Sequence, residues 1–169
     1  MPGWFIFFLT LHILFVVVAF GPTFAFPLIG GMVGKHPQYA AILTEVIDMI
    51  ERRMTIPLAV IVPLLGVGLI YTAPGNIDLW KSEWLIISIV LYMVAFFFAV
   101  FVQTQSSAAL VRSLQEMPPG PPPEGATGPP PHIAALVRKT QMGGTFLTVL
   151  VVVILILMVW RPGNCQGIC

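Results

Sequence analysis

Four long apolar segments are the strongest constraint that this chain places on its own fold. They cover about residues 4–32, 54–71, 84–102 and 143–160. A helix that crosses the hydrocarbon core of a bilayer needs about 20 consecutive, mostly apolar residues. Charged residues make up only 9% of the chain, whereas an average soluble domain has about 25%. The sequence therefore predicts an all-α integral membrane protein, a bundle of four transmembrane helices in a single domain that comprises residues 1–169.

Prolines and glycines predict where these helices bend and touch. The first segment would extend about 43 Å as a straight helix, against about 30 Å for a hydrocarbon core. Gly21 and Pro22 predict a bend, because proline removes a backbone hydrogen bond and clashes with the preceding turn. The second segment carries Pro57 and Pro63, and prolines in membrane helices are tolerated when neighbours satisfy the carbonyls that they free. The small residues Gly66 and Gly68 allow close helix contact.

The distribution of basic residues predicts the orientation in the membrane. Loops on the cytoplasmic side carry an excess of lysine and arginine. The first and third loops hold six of the eight basic residues, namely Lys35, Arg52, Arg53, Arg112, Arg138 and Lys139. Both termini are therefore predicted to face outward, which gives an N-out/C-out bundle in the plasma membrane. The tryptophans agree with this orientation, because all four fall at predicted outer helix ends: Trp4, Trp80, Trp84 and Trp160.

Each of the two predicted inner loops carries a distinctive sequence pattern. In the first loop, Ile42, Val46 and Met49 recur at helical spacing, with Asp48 and Arg52 on another face. This pattern predicts an amphipathic inner-face helix, which either lies on the membrane surface or extends the second span. Residues 117–131 of the third loop are rich in proline, and such a run favours extended polyproline II over a packed core. We interpret it as a cytoplasmic spacer; the alternative is a docking segment for a partner, since it contains PxxP patterns.

His12 is the main candidate for chemistry. Apart from tyrosines, it is the only ionisable side chain inside the predicted spans, about 12 Å below the outer edge. Intramembrane ionisable residues usually face the bundle interior and mark a function. A neutral imidazole can bind haem iron, copper or zinc. The alternative is a structural histidine that is hydrogen-bonded to a threonine or to a carbonyl near a proline kink.

Four further residues are weaker site candidates. Arg52 and Arg53 stand at the inner mouth of the second span, where arginines anchor topology or bind an anionic group. Cys165 and Cys169 are predicted to face the oxidising side, where a local disulfide is possible. The chain shows no nucleophilic triad, phosphate-cradling glycine loop or carboxylate pair, so the sequence favours a non-enzymatic role. Its net charge of +1, without a basic block, argues against nucleic-acid binding.

Two stretches carry a resemblance to known families. "WFIFFLTLHILFVVVAFGP" resembles the first span of HemJ-type protoporphyrinogen oxidases and of CopD-type copper-resistance membrane proteins. "MIERRMTIPLAVIVPLLGVGLIY" resembles the second span of the HemJ type. In length and layout, the chain resembles a family of bacterial predicted integral membrane proteins of unknown function. The resemblance to the HemJ type implies that His12 is a ligand of haem b. Trp84 stands where that type has a functionally required lysine.

These observations support three functional hypotheses. The first is a small accessory or structural subunit that packs in a larger membrane complex, or a homo-oligomer. The second is a b-type haem protein that uses His12 for electron transfer or haem handling. The third is a HemJ-like oxidoreductase or a CopD-like copper transporter. All three place the chain in the lipid bilayer.

Overall fold

The computed structural model describes residues 3–74, 77–117 and 129–162, and every regular element within these ranges is helical. The α-helices are α1 (Gly3–Phe20), α2 (Phe26–Lys35), α3 (Ala40–Ile50), α4 (Ile56–Thr72), α5 (Glu83–Phe98), α6 (Thr104–Gln115) and α7 (Pro131–Trp160). Short 3-10 turns (Gly21–Ala25, Pro37–Tyr39 and Leu79–Lys81) and π-helical segments (Glu51–Thr55 and Ala99–Gln103) join them.

These elements combine into four rods that are long and apolar enough to cross a membrane: Gly3–Val33, Ala40–Thr72, Glu83–Gln115 and Pro131–Trp160. The prediction of an all-α bundle with four membrane-spanning helices is thus confirmed. The last three rods are longer than the apolar segments, because hydropathy marks only the portion of a helix that suits lipid. We call the end of the bundle that holds the Leu79–Lys81 turn the outer end, following the predicted orientation, and the opposite end the inner end.

The first rod bends where the sequence predicts it. The α-helix gives way to a 3-10 turn at Gly21–Ala25, and α2 then continues toward the inner end. The Thr23 hydroxyl donates to the Phe20 carbonyl at 2.6 Å and so satisfies a main-chain oxygen at the break. A proline at the start of the turn cannot donate to the preceding turn, which explains the change of helix type.

The amphipathic helix extends the second span, which decides between the two predicted arrangements. α3 runs through the π segment Glu51–Thr55 directly into α4. The buried face of α3 carries Ala40 and Thr44 and continues to Glu51 in the π segment, and α3 packs against α6. The apolar residues Ile42 and Val46 are exposed on the other side. The apolar residues that recur along this helix therefore lie on its outward face. The buried face is the one that contacts α6, and it includes polar residues.

Helix packing is uneven along the bundle. Toward the outer end, α1 packs against α4 and α5 packs against α7. Toward the inner end, α6 contacts both α3 and α7, and a small buried core forms there from Ala40, Leu110, Leu114 and Ile133. Many of the other large apolar side chains are exposed. A membrane protein presents such side chains to lipid, so the exposed surface is consistent with a bilayer location.

A tyrosine satisfies the carbonyl that Pro63 leaves free. Pro63 lies inside α4 and has no amide hydrogen to donate to Ala59, the residue four positions earlier. The Tyr92 hydroxyl of α5 donates to the Ala59 carbonyl. This hydrogen bond also joins the two outer helix pairs, and the Phe20 ring packs edge-on against Tyr92 at a centroid distance of 6.5 Å. The predicted need for a neighbouring donor at the proline is confirmed.

One predicted interfacial tryptophan lies inside the protein. Trp4, Trp80 and Trp160 are exposed at the outer end, but Trp84 is only 5% exposed. The guanidinium of Arg161 lies 5.4 Å from the Trp84 ring centroid. A sequence pattern that marks a helix end cannot tell which side of that end faces lipid. Most of the proline-rich loop (residues 118–128) and the candidate disulfide residues Cys165 and Cys169 lie outside the described ranges.

Replacing Tyr92 should destabilise the bundle through the Ala59 carbonyl. Tyr92→Phe leaves a buried acceptor without a donor, which costs about 1–3 kcal/mol. We expect a lower midpoint of thermal unfolding in detergent, with Tyr71→Phe, an exposed tyrosine, as the matched control. Pro63→Ala restores the amide donor, so Tyr92→Phe should cost less in that background. Equal costs in both backgrounds would contradict the proposed pairing.

The predicted orientation can be tested with the native cysteines, since both lie in the C-terminal tail. A membrane-impermeant maleimide, added to intact cells after mild reduction, should label the wild-type chain. In a Cys165→Ser/Cys169→Ser background, a cysteine introduced as Glu116→Cys at the inner end should react only after permeabilisation. The reverse pattern would place both termini inside.

Candidate functional site

A large apolar cleft runs between the two outer helix pairs. Its volume is 3120 Å³, and its walls come from all four rods. Typical small-molecule sites have volumes of about 300–1,000 Å³. The cleft therefore has room for a bulky apolar group or for more than one acyl chain. The predicted site residue His12 lines this cleft, as does the half-buried Tyr92.

The geometry of His12 fixes the role of each ring nitrogen. The Nδ1 atom lies 3.0 Å from the main-chain carbonyl oxygen of Val62 on α4. Because a carbonyl can only accept, Nδ1 carries the proton of this hydrogen bond. In a neutral imidazole, Nε2 then has a free lone pair. Nε2 has no hydrogen-bond partner among the described residues, so the ring is oriented by one nitrogen and offers the other.

Two glycines bring α1 and α4 close enough for this contact. A Cβ atom on Gly66 would lie 3.5 Å from Cε1 of His12, and one on Gly68 would lie 2.6 Å from the Phe8 ring. The imidazole thus lies against the bare backbone of Gly66, one turn after the Val62 carbonyl. This confirms the predicted role of the two glycines in close helix contact. It also shows that the close approach serves the histidine.

Other side chains with useful chemistry line the outer part of the cleft. Met93 and Met158 are potential soft ligands. The indole Nε1 of Trp84 is buried and has no hydrogen-bond partner among the described residues. Lys81 and Arg161 place positive charge at the mouth. Lys81 also forms an ion pair with Asp78 at 3.3 Å, which is well exposed and of small energetic value.

The predicted anion-binding arginines lie elsewhere. Arg52 precedes Val62 by about 15 Å along the helix at about 1.5 Å per residue. Its guanidinium is bound to Asp48 at 2.9 Å and donates to the Thr104 carbonyl at 2.8 Å, so it ties the second rod to the third. Arg53 is exposed, and no carboxylate of the described residues lies within ion-pair distance of it. Their binding of an anionic group stays a prediction.

No second histidine joins His12 in the described part of the cleft. His36 and His132 are exposed and do not line it. Within residues 3–74, 77–117 and 129–162, no group of three histidine, cysteine or acidic side chains is placed to hold a metal ion. His12 is therefore the one strong imidazole donor that the described residues supply to this cavity.

The inner end of the cleft carries a polar cluster that the sequence analysis did not identify. Three rods contribute to it: Glu51 and Thr55 from the second, Gln103 and Ser107 from the third, and Thr140 from the fourth. The Ser107 hydroxyl donates to the Glu51 carboxylate at 3.3 Å. The sequence contained a signal for this cluster. Glu51 and Thr55 are four residues apart, as are Gln103 and Ser107, so the two members of each pair share a helix face. The signal was missed because the predicted spans end at this level.

A family comparison places the chain among known sequences. The profile described as Predicted integral membrane protein (DUF2269) matches residues 6–162. The chain belongs to this family. It is thus a multi-span integral membrane protein, as predicted, and the predicted membership of an integral membrane family of unknown function is confirmed. Neither a curated protein nor a solved structure matches the chain.

A side chain at Gly68 should separate α1 from α4 and disturb His12. Gly68→Val overlaps the Phe8 ring, and overpacking of this kind typically costs about 1–3 kcal/mol. We expect a lower thermal unfolding midpoint than in the matched variant Gly31→Val, since a Cβ on Gly31 meets nothing within 4 Å. Equal midpoints for the two variants would show that the close approach is not needed.

Proposed function

We propose that this protein binds a b-type haem in the cleft through Nε2 of His12, and that it carries electrons or handles haem in the membrane. The observation that carries the proposal is the hydrogen bond from Nδ1 of His12 to the Val62 carbonyl. Histidines that ligate metals usually donate their second ring nitrogen to a carbonyl or carboxylate, which fixes the tautomer and raises the basicity of the ligating nitrogen.

The residues of the cleft fit this group. A haem needs an apolar enclosure and an axial ligand, and histidine is a common ligand of haem iron. The cleft supplies apolar walls on both sides of His12, and its 3120 Å³ exceeds what a small ligand requires. Met93 and Met158 are candidates for a second ligand from this chain. Bound haem would supply one-electron chemistry, while the protein excludes water and sets the orientation.

Positive charge at the outer mouth supports the same location. Haem propionates need cationic or hydrogen-bonding partners, and Lys81 and Arg161 both line the outer part of the cleft. Arg52 and Arg53, the predicted anionic-group contacts, lie toward the inner end. We therefore assign the propionate contacts to Lys81 and Arg161 in this proposal. Arg52 and Arg53 suit phosphate groups at the inner membrane surface.

The other functional hypotheses have less support from the geometry. A HemJ-like oxidoreductase or a CopD-like copper transporter rests on the resemblance of the first two spans. Copper would require further ligands, and the described part of the cleft supplies only methionines beside His12. The accessory-subunit hypothesis requires a partner or a second copy, and exposed apolar side chains serve lipid equally well.

The visible spectrum of the purified protein tests the proposal. Protein prepared in mild detergent from haem-replete cells should show a Soret band, with sharper bands after reduction by dithionite. His12→Ala should abolish these bands, because it removes the ligand. His36→Ala and His132→Ala are matched controls, since both histidines are exposed and outside the cleft. Both controls should keep the spectrum of the wild type.

Two other outcomes would contradict haem binding or favour another function. A wild-type spectrum without a Soret band, even after reconstitution with haemin, would refute haem binding. If His12→Ala then only lowered the thermal unfolding midpoint, His12 would be a structural residue that braces α1 on α4. A stable protein that co-purifies in stoichiometric amount under the same conditions would favour the accessory-subunit hypothesis.

A further inference from the structure

Two threonine hydroxyls at the inner end of the cleft lack the hydrogen bond that several other helical serine and threonine side chains make. Six helical serine and threonine side chains donate to the carbonyl four residues earlier: Thr72, Ser88, Thr104, Ser106, Thr145 and Thr148. The hydroxyls of Thr55 and Thr140 are buried and have no such partner among the described residues. A buried polar group without a partner costs about 1–3 kcal/mol, so these two hydroxyls point to a missing partner.

Thr55 is the last residue of a π-helical segment. The Glu51 carbonyl, four residues earlier, accepts from the main chain of Ile56 in the π segment. Single-turn π segments are frequently found at functional sites, and a second one, Ala99–Gln103, lies in the third rod. These two segments carry Glu51 and Gln103, which are both 7% exposed. Two local distortions thus place two buried polar side chains in the same cavity.

The polar cluster contains an acidic side chain and no basic one among its described residues. Among the described residues, Glu51 is the only acidic side chain that lines the inner part of the cleft, and the positive ones that line it, Lys81 and Arg161, lie at its outer mouth. Arg52, although adjacent in sequence, is bound to Asp48 and to the Thr104 carbonyl. A carboxylate that is buried without a cation is costly, and the Ser107 hydroxyl is its one hydrogen-bond donor among the described side chains. The site therefore suits a ligand that carries a hydrogen-bond donor.

We propose that the inner end of the cleft binds the donor-bearing head of an amphiphile, an ammonium or hydroxyl group, while the apolar chain of that molecule lies along the cleft. Glu51 accepts a hydrogen bond from the head, and the hydroxyls of Thr55 and Thr140 complete the contact. The long apolar walls between this cluster and the outer mouth accommodate the chain. The site lies about 15 Å along the helix from the His12 contact, and it does not depend on haem binding.

Three amphiphiles of equal chain length test the proposal by native mass spectrometry. The full chain is held in an amine-oxide detergent, whose head has no N–H or O–H donor at neutral pH. Dodecylamine and dodecanol should each bind with a stoichiometry of one, whereas dodecanoate should bind at least tenfold more weakly because Glu51 repels it. Equal binding of dodecanoate, or no binding of the other two, would overturn the proposal.

Substitution of Glu51 distinguishes an ammonium head from a hydroxyl head. Glu51→Gln should weaken dodecylamine at least tenfold. If dodecanol binding is kept, the carboxylate acts as the partner of a cationic head; if both are lost, it acts as a hydrogen-bond acceptor for either. Glu45→Gln is the matched control, since Glu45 lies on the same rod but is exposed. An equal effect of the two substitutions would refute a specific site.

The threonines give a readout that a purely structural role would not produce. Thr55→Val and Thr140→Val remove unpartnered hydroxyls, so each should raise the thermal unfolding midpoint of the ligand-free protein and weaken dodecylamine binding several-fold. Thr148→Val removes a hydroxyl that donates to the Gly144 carbonyl at 2.9 Å, so it should lower the midpoint and leave binding unchanged. Lower midpoints for Thr55→Val and Thr140→Val, with unchanged binding, would show that the hydroxyls serve packing only.

Discussion

Side-chain hydrogen bonds to main-chain carbonyls hold this bundle together at the points where lipid offers no partner. A bilayer cannot satisfy a backbone polar group, so each break in a helix must find its donor within the protein. Tyr92 supplies that donor for the Ala59 carbonyl, which Pro63 leaves free, and it thereby links the two outer helix pairs. His12 reaches the Val62 carbonyl one turn away. Both carbonyls lie on α4, and this helix organises the outer half of the bundle.

The cleft follows from this pattern of contacts. Because the helices pack in pairs near the outer end and converge near the inner end, a large apolar space lies between the pairs. Its two ends offer different chemistry. The outer part holds a histidine with one free nitrogen and two cations at the mouth. The inner part holds a buried carboxyl with unpartnered hydroxyls. The two proposals therefore use opposite ends of a single cavity.

The sequence was informative wherever one residue type has one physical consequence. Gly21 and Pro22 marked the bend, and Pro63 marked a carbonyl in need of a donor. His12 stood out because an ionisable side chain in lipid is costly. The inner cluster escaped because Glu51 lies just before the second apolar segment, and because the residues that complete it come from three different rods. The sequence predicted Trp84 at the lipid interface. A sequence shows where a residue lies along a helix but not in which direction its side chain points.

The sequence by itself determined that this is a four-helix membrane protein, because the length and apolarity of a segment decide whether it can cross a bilayer. It also determined that His12 needs a partner. Only the tertiary structure decided which partner that is, because the rotation of a nearly uniform apolar helix leaves no periodic trace in its residues. The same reason explains why the cleft became visible only in three dimensions. Its walls are made of the same residue types as the lipid-facing surface, and contact alone separates the two.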